Sequence, residues 1–126
     1  MDLKDYFENT SGTGILSTAD NTGNVDAAIY SRPHLMEDGS LAFIMRDRLS
    51  HTNLQSNPRA VYLFIEQGKG FNGKRLYLTM TKEEKNSDLI ASLKRREHNP
   101  TTDEDRFLVY FTIDRERPLV GDSFEE

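Results

Sequence analysis

Cysteine and tryptophan are absent from the 126 residues, and proline occurs only four times. Without cysteine there are no disulfides, no thiolate metal sites and no thiol nucleophile, and the composition suits a reducing cytoplasm, which is the expected location. Long apolar runs are also missing. Stretches such as residues 61–65 fall far short of the roughly 20 residues that a membrane helix needs. Residues 1–10, MDLKDYFENT, lack the apolar core of a secretory signal, so a soluble protein with no membrane partner is expected. No long block of like charge occurs either: 16 Lys and Arg are interspersed with 21 Asp and Glu, for a net charge of −5. That mixture gives no footing for binding through nucleic-acid phosphates. The one basic cluster, Lys94-Arg95-Arg96, reads as cations near a helix C-terminus, where they complement the macrodipole.

What is present fits a single domain spanning residues 1–126, long enough to bury roughly two-thirds of the surface of its unfolded chain. Leu3, Tyr6 and Phe7 recur at helical spacing, which predicts a short helix over 2–9 ending before Thr10-Ser11-Gly12. Residues 13–18 and 25–32 read as strands of a hairpin around the turn-forming Asp20-Asn21-Thr22-Gly23-Asn24, with Pro33 as the stop. A second turn, Glu37-Asp38-Gly39-Ser40, leads into a third strand over 41–46. Ser50 or Thr52 is placed to cap a short helix, Gln55 standing in capping-box register with Thr52, and Asn57-Pro58 ends it. RAVYLFIE, residues 59–66, is the strongest strand signal. After the glycine loop at 68–73, residues 75–81 alternate apolar and polar. Asn86-Ser87-Asp88 then offers N-caps for a helix carrying Leu89, Ile90 and Leu93 and running to about Glu97, where His98-Asn99-Pro100 stops it. A polar loop over 101–105 precedes a last strand at 107–114. About six antiparallel strands with two or three short helices and no βαβ alternation predict a mainly β fold, a closed or partly closed barrel.

Most motif-like features lose their meaning in context. Gly68-Lys69-Gly70-Phe71-Asn72-Gly73 matches the dinucleotide fingerprint, but that motif needs a helix next and here a strand follows, so it reads as a hairpin connection. His34, His51 and His98 are scattered, and no metal site is expected. The acidic residues of Lys82-Glu83-Glu84-Lys85 and of Asp103-Glu104-Asp105 read as solvated groups between elements. No serine sits in a G-x-S-x-G elbow, so hydrolytic nucleophile chemistry has no support.

One cluster stands out. Arg46, Arg48, Ser50, His51, Thr52 and Asn53 concentrate guanidinium, hydroxyl, imidazole and amide groups where a strand passes into a helix N-terminus. The first helical N–H groups have no internal partner, the macrodipole favours an anion there, and arginine adds charge-assisted hydrogen bonds, so a phosphate suits the position. On the residues alone, a capped surface helix with exposed arginines competes with that reading. In the preceding strand, Ala28 and its neighbour Ala27 would let a planar ligand approach the backbone, Tyr30 offers a ring for packing, and Arg32 supplies a cation.

The order of a strand over 27–32, an acidic-glycine turn, a strand over 41–46, then S-x-x-N-L-x-x-N-P and an aliphatic-aromatic strand resembles the pyridoxamine 5′-phosphate oxidase-like family, with its FMN-binding split barrel. The resemblance spans roughly residues 3–120, and Asn53-Leu54 and Asn57-Pro58 are its most distinctive matches; Arg117-Pro118-Leu119-Val120-Gly121 is also familiar from short members. It implies FMN as cofactor, a homodimer with its sites at the subunit interface, and a flavin-dependent oxidoreductase acting on a small molecule. It further implies that Ala28, Ile29, Tyr30, Ser31 and Arg32 line the isoalloxazine, with Arg32 near its pyrimidine edge. Phe43, Ile44, Met45 and Arg46 would flank the ring and ribityl chain, and Ser50, His51, Thr52 and Asn53 would meet the phosphate. Where the family commonly has a phosphate-binding lysine this chain has Ser50, so the cation is expected from Arg46, Arg48 or His51. Oxidation of pyridoxamine phosphate itself is not expected, because the tryptophan and the extended C-terminal segment that serve that substrate are missing. A non-enzymatic flavin carrier or redox sensor, a barrel for haem or a deazaflavin, and a ligand-free dimerisation module are the alternatives. No catalytic acid or base is singled out.

Overall fold

The computed structural model describes residues 2–93 and 105–121. The Lys94-Arg95-Arg96 cluster, the predicted helix end at 97, the His98-Asn99-Pro100 stop and most of the 101–105 loop lie outside the described residues.

The chain begins with α1 (Leu3–Asn9), capped by the Asp2 carboxylate, which accepts from Asp5 N at 2.8 Å. Tyr6 and Phe7 turn inward from it. A meander of β1 (Gly12–Ala19) and β2 (Val25–Tyr30) follows. Its turn is organised by Asp20 Oδ1, which accepts from the backbone N–H groups of Thr22 and Asn24, while Gly23 supplies a φ of 93°. After β3 (His34–Leu35) come β4 (Leu41–Arg46), α2 (Leu49–Ser56), β5 (Arg59–Glu66), β6 (Gly73–Lys85), α3 (Leu89–Leu93) and β7 (Arg106–Pro118). All pairings are antiparallel, in the order β2-β1-β5-β6-β7-β4-β3. The sheet curls into a half barrel.

Inside the curl, Tyr62 lies 4.9 Å from Phe43 and 6.1 Å from Phe7 between ring centroids, and Phe64, Phe111, Leu16, Leu76 and Leu78 complete the core. β1 and β5 meet closely because residue 14 is glycine: a Cβ there would collide with the Tyr62 hydroxyl, which instead donates to Ser31 O at 3.1 Å. β4 is almost wholly apolar because both of its faces are covered. Leu41, Phe43 and Met45 enter the main core, while Ala42 and Ile44 pack with Ile90, Leu93, Leu108 and Tyr110 under α3.

Four expectations are corrected. A seventh strand exists, but β3 is two residues long and too short for any propensity signal. Residues 82–85, expected between elements, continue β6, because each pairs with β7 and the polar side chains have partners: Glu83 meets His51, Glu84 accepts from Tyr110, and Lys82 lies over the Tyr110 ring. β7 extends to Pro118 for the same reason, its pairing with β6 outweighing weak alternation; bulges after Tyr77 and Met80 absorb the mismatch. Finally, α2 starts at Leu49 with Arg48 as N-cap and no side-chain cap bond, since Ser50 is buried against Tyr30 and Gln55 reaches Glu83 instead of closing a capping box.

Candidate functional site

β2 and β4 face each other across the seam of the curl without pairing. Tyr30 of β2 packs edge-on against Phe43 of β4 at 5.8 Å, closing the floor of the seam. Beside it opens a cleft of about 410 Å³, walled by Asp26, Ala28, Ile29, Tyr30 and Ser31 on one side and by Ile44, Arg46, Arg48, Leu49 and Ser50 on the other. Such a volume is in the range of small-molecule and cofactor sites, ~300–1,000 Å³. The first turn of α2 enters this wall, so its leading N–H groups, which the helix itself leaves unpaired, lie beside the two arginines.

The cleft is mixed in character. Ile29 and Leu49 on its rim are 72% and 56% exposed, unusual for large aliphatic side chains. Arg46 and Arg48 give it positive charge, and Asp26 a single carboxylate. Tyr30 is half-buried with its phenol pushed above the ordinary value: burial is the main cause, the Asp26 carboxylate adds to it, and a hydrogen bond with the Ser50 hydroxyl opposes it. The phenol is therefore a neutral group that can donate a hydrogen bond.

The predicted site residues divide into two sets. Ala28, Ile29, Tyr30, Ser31, Ile44, Arg46, Arg48 and Ser50 all line the cleft. Phe43 and Met45 do not, because the strand pleat turns them into the core, 2% and 1% exposed. Arg32 is held away, donating to Phe7 O at 2.8 Å and Thr10 O at 3.2 Å at the end of α1. Asn53 is buried and donates to Thr18 Oγ1 at 3.1 Å, and Thr52 points to solvent. His51 turns inward to stack on Phe107, its Nε2 2.9 Å from Glu83 and its Nδ1 3.2 Å from Asp47. Sequence reasoning missed Asp26 and Leu49. The first was findable, since it shares the pleat face of Ala28 and Tyr30; the second became visible only once α2 was seen to begin there.

A second hollow of about 310 Å³ lies on the outer sheet face, lined by residues that include Val25, Asn57, Arg59 and Tyr77. It holds one arginine and no helix N-terminus. Among the described residues no three His, Cys, Asp or Glu side chains gather as metal ligands, and no helix is long and apolar enough to cross a membrane.

No protein-family model and no curated protein matches the sequence. Solved structures do. An F420 reductase superposes with a TM-score of 0.72 at 12% identity, over 92% of this chain and 97% of that one. An FMN-binding protein from Syntrophomonas wolfei subsp. wolfei gives 0.69 at 17% identity, over 94% and 84%. HutZ, the haem storage protein of Vibrio cholerae, gives 0.70 at 15% identity, over 92% and 91%. Pyridoxamine 5′-phosphate oxidase-like proteins are among the matches. The chain has their split-barrel fold. At these identities the likeness establishes the fold alone, and the cleft of this split barrel must be read from its own residues.

Proposed function

We propose that the seam cleft holds FMN and that the protein is a flavin-dependent oxidoreductase acting on a small molecule. The observation that carries this is the pairing, in one cleft, of an aliphatic rim (Ile29, Leu49) with two guanidinium groups at a helix N-terminus (Arg46, Arg48). An apolar planar body with an anionic tail satisfies both halves at once. Ala28 leaves room beside the β2 backbone, Tyr30 and Ser31 offer polar contacts, and the arginines with the first turn of α2 take the phosphate, replacing a lysine at the position of Ser50. When bound, the flavin supplies the hydride or electron transfer, and the protein supplies orientation and a shielded, positively charged setting. The FMN-binding protein and the reductase among the structural neighbours support this assignment.

Haem, which a structural neighbour stores, fits less well. Tyr30 is the one side chain in the cleft of a type that ligates haem iron, and its raised phenol disfavours the phenolate that would do so.

A homodimer belongs to the same proposal. In the sheet register Ile29 stands opposite Ile15, which stands opposite Leu63, forming an aliphatic row on the outer face that runs to the cleft rim. A second copy covering that row would also close the cleft. Sedimentation of the purified protein is expected to give a dimer, and Ile29→Asp to shift it toward monomer.

The test of the cofactor is a visible spectrum and an FMN titration. Saturable quenching of flavin fluorescence at micromolar protein is expected. A colourless protein that leaves flavin fluorescence unchanged overturns the proposal. Steady turnover between a reductant and an acceptor separates an enzyme from a passive flavin carrier.

A further inference from the structure

His51 sits in the first turn of the helix whose N-terminus forms the anion end of the cleft, yet it faces the opposite way. Its ring is 6% exposed and stacks on Phe107 of β7, centroids 3.9 Å apart at 21°. Nδ1 lies 3.2 Å from Asp47 Oδ1, in the turn before α2, and Nε2 lies 2.9 Å from Glu83 Oε1, on β6. Gln55, one turn along α2, donates to the same Glu83 oxygen at 3.0 Å and to His51 O at 3.1 Å. Each ring nitrogen thus faces a carboxylate oxygen, to which it donates when it carries the proton. The ring therefore bridges the strand-to-helix turn and β6.

Within the segment that must hold still for an anion to bind, Arg46 to Ser50, the buried Ser50 bonds to the Tyr30 phenol of β2. α2 has no side-chain N-cap, and its buried Asn53 donates to Thr18 of β1 at 3.1 Å. With the His51 bridge, these ties hold the start of α2 against β1, β2 and β6. Asp47, between the two arginines of the cleft, is held by His51 and so sets how the turn presents them.

We propose that His51 is a positioning residue: clamped by Asp47 and Glu83 over Phe107, it sets the turn that presents Arg46, Arg48 and the α2 N–H groups to the anionic end of the ligand. The proposal rests on the assignment of that end to a flavin phosphate. Glu83→Ala removes the β6 anchor from a half-buried site, while Glu83→Gln keeps a side chain of the same length that can hydrogen-bond Nε2. His51→Phe keeps the stack and removes both bonds.

The readout is the ratio of FMN to riboflavin affinity, with amide exchange at residues 50–53 against β5. Glu83→Ala and His51→Phe are expected to weaken FMN about tenfold, the size of one charge-assisted hydrogen bond, and riboflavin less than about twofold. Exchange at 50–53 should quicken while β5 stays protected, and Glu83→Gln should restore most of both. Equal losses for the two flavins, an unchanged ratio, or exchange that rises across the whole sheet overturns the brace. If the wild-type protein binds neither flavin, the cofactor assignment fails, and local exchange in Glu83→Ala against Glu83→Gln still decides the brace.

Discussion

Residues 43–53 contain two populations, interleaved in the chain, that differ in burial. Phe43, Met45, His51 and Asn53 are at most 6% exposed and belong to the interior. Ile44, Arg46, Arg48 and Leu49 lie on the cleft wall, half-buried or exposed. The first set packs the barrel interior and the second lines the cleft. Composition does not separate them, since each set mixes apolar with polar side chains. Pleat and helix geometry do, because successive strand residues point to opposite faces and the first turn of α2 splits its residues between core and cleft.

The largest effect falls on the interior set. Phe43→Ala should cost about 3–5 kcal/mol of stability, measured by denaturant unfolding, because the ring touches Tyr30, Tyr62 and Phe111 and the cavity cannot collapse. Asn53→Ala should cost about 1–3 kcal/mol by leaving the buried Thr18 hydroxyl without its donor. Adding Thr18→Val should recover part of that loss, and failure to recover any would remove the bond from the comparison.

On the cleft side, Leu49→Ser should leave stability within about 0.5 kcal/mol. It should weaken FMN and riboflavin alike, by about threefold to fivefold, as the loss of part of a side chain's apolar contact implies. An effect confined to FMN would move Leu49 to the anion end.

The smallest effect is on alkaline stability. Folding raises the Tyr6, Tyr30 and Tyr110 phenols, chiefly through burial. The folded state then keeps protons that the unfolded chain releases, so this contribution is intact below the ordinary phenol value of 10.0 and is lost as pH rises above it. Tyr30→Phe should flatten the stability profile above pH 10 slightly and leave it unchanged at neutral pH.

Much of this was legible before any coordinates. The strands at Leu41–Arg46 and Arg59–Glu66 have the bounds that their apolar and aromatic content predicts, and the antiparallel barrel follows from the turn residues between strands. The strand over 82–85 was not legible, because its polar side chains satisfy partners on distant elements, which no local pattern records. Among the candidate residues, the sequence groups Arg46 to Asn53 as one cluster, and its division into cleft and interior depends on where α2 begins. Ser50 looked like a cap and is instead committed to Tyr30. His51 looked like an anion ligand and faces two carboxylates.

The most direct test of the two populations is the affinity of FMN and of riboflavin for the wild type and for Arg46→Ala and Arg48→Ala. If the cleft arginines hold the phosphate, FMN binds the wild type more tightly than riboflavin, and each substitution weakens FMN about tenfold while leaving riboflavin nearly unchanged. Equal losses for both flavins, or no preference for FMN in the wild type, would contradict the placement of the phosphate at the N-terminus of α2.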